Sequence, residues 1–271
     1  MIRDQIKEFL PPVLLSAVAA MLGRRIKYSG DYTSWAEATS KTSGYDNNRI
    51  LEQTQKATLK VLAGEAAYER DGVVFHTPAY DWPLLTSLLW IANRENKKLQ
   101  VLDFGGSLGN SYLQHKIMLA DTDLHWSIVE QAHFVEAGLR LFNDDRVGFF
   151  PSIQHCFETK PQQTIVLGSV LQYLEMPHQL LTEFDKSDAR YLIINRTPFS
   201  DLSEDKILIQ QVPASINAAS YPLWILSREK LLNTLGNHWQ IVAELPSQEG
   251  TARSNLGLPF TFGGMLMERQ S

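Results

Sequence analysis

Leu99-Gln100-Val101-Leu102-Asp103-Phe104-Gly105-Gly106-Ser107-Leu108-Gly109-Asn110-Ser111 is the stretch whose pattern decides the fold. A short apolar run (Leu99, Val101, Leu102, Phe104) carries Asp103 and then stops at Gly105, Gly106 and Gly109. Apolar residues at helical spacing follow, Leu108 with Tyr112 and Leu113 with Ile117. This is strand, glycine loop, helix. Glycine serves where the backbone turns sharply or admits a close approach, and the first turn of the next helix offers unpaired N–H groups.

Register narrows the ligand. A dinucleotide loop needs glycine at its first, third and sixth positions; from Gly105 these are Gly105, Ser107 and Asn110, so only the first fits. A phosphate loop needs Gly-Lys-Ser/Thr, and no lysine follows the glycines before Lys116. What remains resembles the first motif of class I S-adenosylmethionine-dependent methyltransferases, an acidic residue followed by alternating glycines, here Asp103, Gly105 and Gly109. The middle glycine is replaced by Ser107 and a glycine stands one place earlier, at Gly106, which leaves the loop's shape open.

The 271 residues suit one compact α/β domain with an extension. With a net charge of −5 and no long basic block, there is no electrostatic case for nucleic-acid binding. A single cysteine, Cys156, excludes an intramolecular disulfide and a cysteine-based metal cluster, and fits a reducing cytoplasm. No two of the seven histidines show metal-ligand spacing on one helix, so we expect no metal site.

After the glycine loop, strands and helices alternate, the pattern of a mostly parallel sheet covered on both faces. His125 to Glu130 is a second strand ending in a carboxylate, twenty-one residues beyond Gly109. That is close to the ~20-residue separation at which an acidic side chain meets ribose hydroxyls in nucleotide-binding α/β units. Two carboxylate oxygens can accept both protons of a cis-diol. Glu130 is therefore the expected ribose ligand, flanked by Gln131; the alternative is an exposed helix-start glutamate. A helix over 132–142 leads to a third strand, Val147 to Phe150, after which Ser152 or backbone carbonyls would meet the adenine.

The fourth strand, Thr164 to Leu167, opens into Gly168-Ser169-Val170-Leu171-Gln172-Tyr173. Ligands in such sheets occupy the crevice beyond the carboxyl ends of the strands, which points Ser169, Gln172 and Tyr173 at the reaction zone. We expect Tyr173 and Gln172 to face the methyl acceptor; the alternative is that Val170 to Leu174 begins a buried helix. The fifth strand, Tyr191 to Ile194, delivers Asn195-Arg196-Thr197-Pro198 to the same rim. Arg196 would either clamp an anionic group or pair with Asp201, Glu204 or Asp205. His178, beyond Pro177, is placed to act as a general base, against the plainer possibility of a solvent-facing helix-start histidine.

At the amino end, Phe9 to Leu22 is almost wholly apolar and runs into Arg24, Arg25 and Lys27. It is too short to span a bilayer, and is either a helix packed on the domain or a second subunit, or a peripheral membrane helix over residues 9–27. Residues 35–77 read as helical with one hairpin at Asp71-Gly72, and residues 1–80 as a cap whose aromatics Tyr28, Tyr32, Trp35 and Tyr45 either pack or floor a substrate pocket. Residues 81–271 are the expected catalytic domain. Ser227 to Leu235 is a helix, and Gln240 to Leu245 and Thr261 to Met267 form a final antiparallel pair around a mobile loop, Pro246 to Pro259. Residues 217–224, with Tyr221, Pro222 and Trp224, look like a substrate lid.

Val-Leu-Asp-Phe-Gly-Gly-Ser-Leu-Gly (101–109), Val-Glu-Gln (129–131), Ser-Val-Leu-Gln-Tyr-Leu (169–174), Asn-Arg-Thr-Pro-Phe (195–199) and Ser-Tyr-Pro-Leu-Trp (220–224), with Ser34-Trp35 and Gly44-Tyr45-Asp46, are similar to a methyltransferase family found among bacterial surface-polysaccharide biosynthesis genes. The resemblance implies a doubly wound, mostly parallel seven-stranded Rossmann-like sheet with an antiparallel last strand. It also implies S-adenosylmethionine as cofactor, held by Asp103, Gly105, Gly106, Gly109, Glu130, Gln131, Ser152 and Ser169, and O-methylation of a sugar or lipid-linked glycan. The competing class is a non-catalytic module of the same fold that assembles glycan enzymes.

Overall fold

The structure, a computed structural model, describes residues 26–43, 47–213 and 219–270. The apolar segment 9–22, most of the basic cluster after it, Gly44-Tyr45-Asp46 and the start of the expected lid lie outside the described residues. Among those described, no helix is long and apolar enough to cross a membrane.

The chain divides into two compact units. One comprises 26–43, 206–213, 219–224 and 253–259; the other comprises 47–205, 225–252 and 260–270. In the first, β1 (Lys27–Tyr32) precedes α1 (Trp35–Ser40), which Ser34 caps by accepting from the Glu37 amide. Where a helical cap was expected, β1 instead pairs antiparallel with β9 (Lys206–Val212). The expected lid is strand: β10 (Ala219–Ser227) neighbours β9, Tyr221 is buried, and Trp224 stacks on Trp35 at 5.9 Å between ring centroids. Trp35 thus packs in this unit's own core beside Ala38, Ile207 and Ile209.

In the second unit, α2 (Asn47–Leu62) leads to the hairpin β2 (Tyr68–Arg70) and β3 (Val73–Phe75). Asp71 and Gly72 form its turn with φ of +52° and +74°, as a two-residue hairpin requires. Next, α3 (Trp82–Arg94) starts at Asp81, whose carboxylate accepts from the Leu84 amide, and buries Leu84, Leu85, Leu88 and Ile91. Beyond it come β4 (Lys98–Phe104), α4 (Asn110–His115), β5 (Asp123–Val129), α5 (Ala132–Leu141), β6 (Val147–Phe150), α6 (Ile153–Thr159) and β7 (Thr164–Gly168). The chain then makes a 3-10 turn at Leu171–Tyr173 and continues through α7 (Pro177–Asp185) and β8 (Tyr191–Ser200); after β10 follow α8 (Arg228–Leu235), β11 (Trp239–Arg253) and β12 (Pro259–Arg269).

Parallel pairings join β6 to β5, β5 to β4, β4 to β7 and β7 to β8. β12 then pairs antiparallel with β8, and β11 with β12. The sheet has ten strands where seven were expected, with the antiparallel β12 between β8 and β11; the last residues of β10 add a short parallel pairing to the end of β8. Strands buried on both faces read as continuous apolar runs, and Val101, Leu102, Ile165, Leu167, Leu192, Ile193 and Ile194 are fully buried.

Two expectations at the carboxyl end change. The loop expected over 246–259 is strand for most of its length, since β11 runs on to Arg253. β8 also continues past Ile194, through a bulge. Ile194 opposes Met265 and Thr197 opposes Gly263, so Asn195 and Arg196 together face Gly264 alone.

Candidate functional site

The carboxyl ends of β4, β5, β7 and β8 carry the polar groups of interest. At β4, Asp103 is buried and accepts from the Trp126 indole at 3.0 Å. Burial pushes its carboxyl up to about 7, the indole hydrogen bond opposes this, and nearby Glu130 adds to it. Gly105 and Gly109 take φ of +71° and +74° and Ser107 takes +53°, so the loop turns through left-handed backbone at three of five positions. A Cβ on Gly105 would lie 2.6 Å from Val170 Cγ2, and one on Gly106 the same distance from the Asp103 carboxylate. The protein's own packing therefore fixes these glycines. The helix after the loop has six residues, and Ile117, expected on its apolar face, is exposed.

At the end of β5, Glu130 Oε1 accepts from the Ser107 amide at 3.2 Å and Oε2 from the Gln131 amide at 2.8 Å. Burial raises its pKa, and these two N–H donors oppose the rise. Glu130 is thus tied to the glycine loop, a placement a solvent-facing helix-start glutamate would lack. Gln131 stands exposed at the start of α5. Ser152 caps α6, accepting from the His155 amide at 3.2 Å; its hydroxyl hydrogen and one lone pair are left for a ligand.

At the end of β7, the space over Gly168 is open, with no atom within 4 Å of a Cβ placed there. Ser169 takes φ +59° and donates its amide to the Asn195 carbonyl at 2.8 Å. Gln172 departs from expectation: it is wholly buried, its Nε2 donating to Ser169 Oγ at 2.9 Å and to the Arg196 carbonyl at 3.3 Å. It is a brace between two strand ends, not a group presented to an acceptor. Tyr173 is 38% exposed, so the buried-helix alternative fails for its side chain.

Arg196, at φ +55°, pairs with Glu249 of β11 at 2.8 Å, not with the acidic residues at 201–205. Burial opposes its charge, and Glu249 restores it, leaving the pKa raised. His178 Nδ1 meets Thr234 Oγ1 and its Nε2 meets Asp205, both at 2.8 Å, so both ring nitrogens are engaged and the side chain fastens α7 to α8 where a free base was expected.

Beside Arg196 lies an open, shallow cleft formed by Arg70, Tyr80, Asp81, Asn195, Arg196 and Glu249, with Pro83 and Pro246 to Gln248 completing it. Sequence reasoning missed Arg70, Tyr80, Asp81 and Glu249. Asp81 was legible only as a helix cap before Trp82-Pro83, and Arg70 only as a strand residue ahead of a turn. Within the cleft, Asn195 Nδ2 donates to Asp81 Oδ2 at 2.9 Å, and the Asp81 amide donates to His115 Nε2 at 3.1 Å.

No family model and no curated protein matches the chain. Among solved structures, it is similar to the N-terminal domain of EvdMO1 crystallised in the presence of SAH and D-fucose (13% identity, 84% of this chain and 98% of that one, TM-score 0.47). It is also similar to the [4+2]-cyclase SpnF (13% identity, 89% and 99%, TM-score 0.48). A third is the 1,6-didemethyltoxoflavin-N1-methyltransferase of Burkholderia thailandensis with bound 1,6-didemethyltoxoflavin and S-adenosylhomocysteine (12% identity, 84% and 92%, TM-score 0.43).

Proposed function

We propose that this protein is an S-adenosylmethionine-dependent methyltransferase that methylates a hydroxyl of a sugar or lipid-linked glycan. The observation that carries the proposal is Glu130. It is anchored to the Ser107 amide at the carboxyl edge of the sheet, and each carboxylate oxygen has a second acceptor direction for a ribose hydroxyl. The space next to Gly168, two strands away, is open where a side chain would stand and leaves a ligand access to the strand end. When bound, the cofactor supplies an electrophilic methyl group on a sulfonium.

The chain's own residues do the rest. Glu130 and the loop amides orient the ribose, and the Ser169–Arg196 edge forms the wall of the reaction zone. The cleft beside it suits a polyol: Asp81, Arg196 and Glu249 line it with charged acceptors and donors, with Tyr80 as an aromatic wall. Methyl transfer to oxygen needs chiefly alignment and a base for the proton.

Calorimetry with S-adenosylhomocysteine and with nicotinamide dinucleotides tests the cofactor. Binding of the first and not the second is expected, and Glu130→Ala should lower the affinity at least about tenfold, since a hydrogen bond to a charged group contributes ~1.5–3 kcal/mol. Incubation with labelled cofactor and the host's lipid-linked glycans tests the reaction. Cofactor binding without transfer to any glycan would favour the non-catalytic module instead.

A further inference from the structure

We infer that Asp81 is the group that receives the proton of the acceptor hydroxyl, with Asn195 as the residue that positions it; this rests on the function proposed above. Asp81 lines the cleft and is held from three directions. Oδ1 accepts from the Leu84 amide at 3.3 Å, Oδ2 accepts from Asn195 Nδ2 at 2.9 Å, and the main-chain amide donates to His115 Nε2. His115 belongs to α4, the helix that leaves the glycine loop, and Asn195 to the bulge of β8. Asp81 is thereby tied by its main-chain amide to the loop helix and by its carboxylate to the acceptor edge.

His115 cannot serve as the base. Its Nδ1 hydrogen is directed at the Ser111 carbonyl at 2.7 Å, which leaves Nε2 as acceptor for the Asp81 amide and the ring buried and neutral. Glu249, the other carboxylate of the cleft, is committed to Arg196. Asp81 bonds only neutral donors, and each of its oxygens keeps an acceptor site for a hydroxyl.

Asn195 supplies a second, independent reason. It is 2% exposed, and because a carboxylate only accepts, its NH₂ must face Asp81, leaving Oδ1 buried with no partner. Such an orphan is costly. A helix cap alone would not require it, since Asn or Ser would cap α3 equally well without a charge. The arrangement is explained if the Asp81 carboxylate must stay aimed into the cleft.

In the step this implies, a lone pair of the acceptor oxygen forms the O–CH₃ bond as the S–CH₃ bond breaks, and that bond's electrons stay on sulfur. The hydroxyl proton passes to Asp81, so the positive sulfonium and the carboxylate give a neutral thioether and a carboxylic acid, which the open cleft lets solvent deprotonate.

The test uses the whole protein and a panel of free 6-deoxyhexoses, hexoses and hexosamines. It measures transfer from labelled S-adenosylmethionine, sugar contact by saturation-transfer NMR, S-adenosylhomocysteine affinity and thermal stability. We expect wild type to contact and methylate at least one sugar, and Asp81→Asn to keep cofactor affinity while losing about 10²-fold or more in transfer. The swap Asp81→Asn with Asn195→Asp should recover stability and leave transfer lost, because the charge then sits on the wrong side of the pair. Undiminished transfer by Asp81→Asn, or rescue of transfer together with stability by the swap, would assign Asp81 a structural role and overturn the inference. Failure of wild type to contact or methylate any sugar despite normal cofactor affinity also overturns it, whereas failure to bind S-adenosylhomocysteine overturns the proposed function beneath it.

Discussion

The side-chain amide of Gln172 donates to the main-chain carbonyl of Arg196 across 3.3 Å, joining residues twenty-four positions apart. Arg196 and Ser169, which the same amide also bonds, are both non-glycine residues at positive φ, +55° and +59°. Such backbone costs on the order of 1 kcal/mol per residue and persists only where its surroundings hold it. Gln172 is the holder, and the strained pair borders both the space over Gly168 and the polar cleft.

Replacing Gln172 by Ala should therefore lower stability by about 2–4 kcal/mol, from lost hydrogen bonds and the cavity left behind. Urea denaturation measures it; an unchanged midpoint would show that the amide braces nothing.

Gly168 lies outside the left-handed region and has open space where a side chain would go. Gly168→Leu should fold normally and fill that space, lowering S-adenosylhomocysteine affinity at least about tenfold, equivalent to about 1.4 kcal/mol. Calorimetry beside a thermal melt separates the two effects, and full affinity in a folded variant would move the cofactor elsewhere.

Asp103, pushed up to about 7 by burial, binds a proton more tightly folded than unfolded. Its contribution to stability is complete below its unfolded pKa of about 4 and is lost as pH rises through about 7. Asp103→Asn keeps an oxygen for the Trp126 indole and removes the charge. Relative to the variant, wild type should weaken between about pH 4 and pH 7, by up to about 4 kcal/mol in all. Urea melts across that range check it; parallel curves would mean that Asp103 does not titrate there.

A Cβ on Gly264 would stand 2.0 Å from the Ile194 carbonyl oxygen, opposite the bulge that holds Asn195 and Arg196. Gly264→Ala should cost several kcal/mol or force β12 from β8, with the overpacking penalty at its upper end. Gly257→Ala meets open space but sits at φ +88°, so its smaller loss would be conformational strain alone. Comparing the two by denaturation distinguishes a clash from strain.

Much of the parallel sheet was legible because its signals are local. Val101-Leu102 before the glycines, His125 to Glu130 and Thr164 to Leu167 each declare a strand by apolar content and an abrupt stop. The spacing from Gly109 to Glu130 placed a carboxylate beside the loop, and the Ser107–Glu130 hydrogen bond is that placement realised. Asp71-Gly72 gave its hairpin for the same reason: two residues suffice to encode a turn. The failures were also physical. Tyr221-Pro222-Leu223-Trp224 resembled a lid because aromatics and proline look alike in a loop and in a strand buried by its neighbours. Pro246 seemed to end β11 because proline removes a ladder donor, yet a strand tolerates it where that donor is not needed.

The sequence by itself determined the succession of parallel strands from β4 to β8, the glycine turn after β4 and the carboxylate after β5, since periods of two and 3.6 residues and positive-φ glycines act within a few positions. Only the tertiary structure decided that Asn195 meets Asp81 from 114 residues away, that Arg196 pairs with Glu249 from 53 away, and that His178 is spent on Asp205 and Thr234. Such contacts carry no local signature: their partners are chosen when the sheet closes the long loops between them, and the burial of the whole core offsets the entropy of that closure.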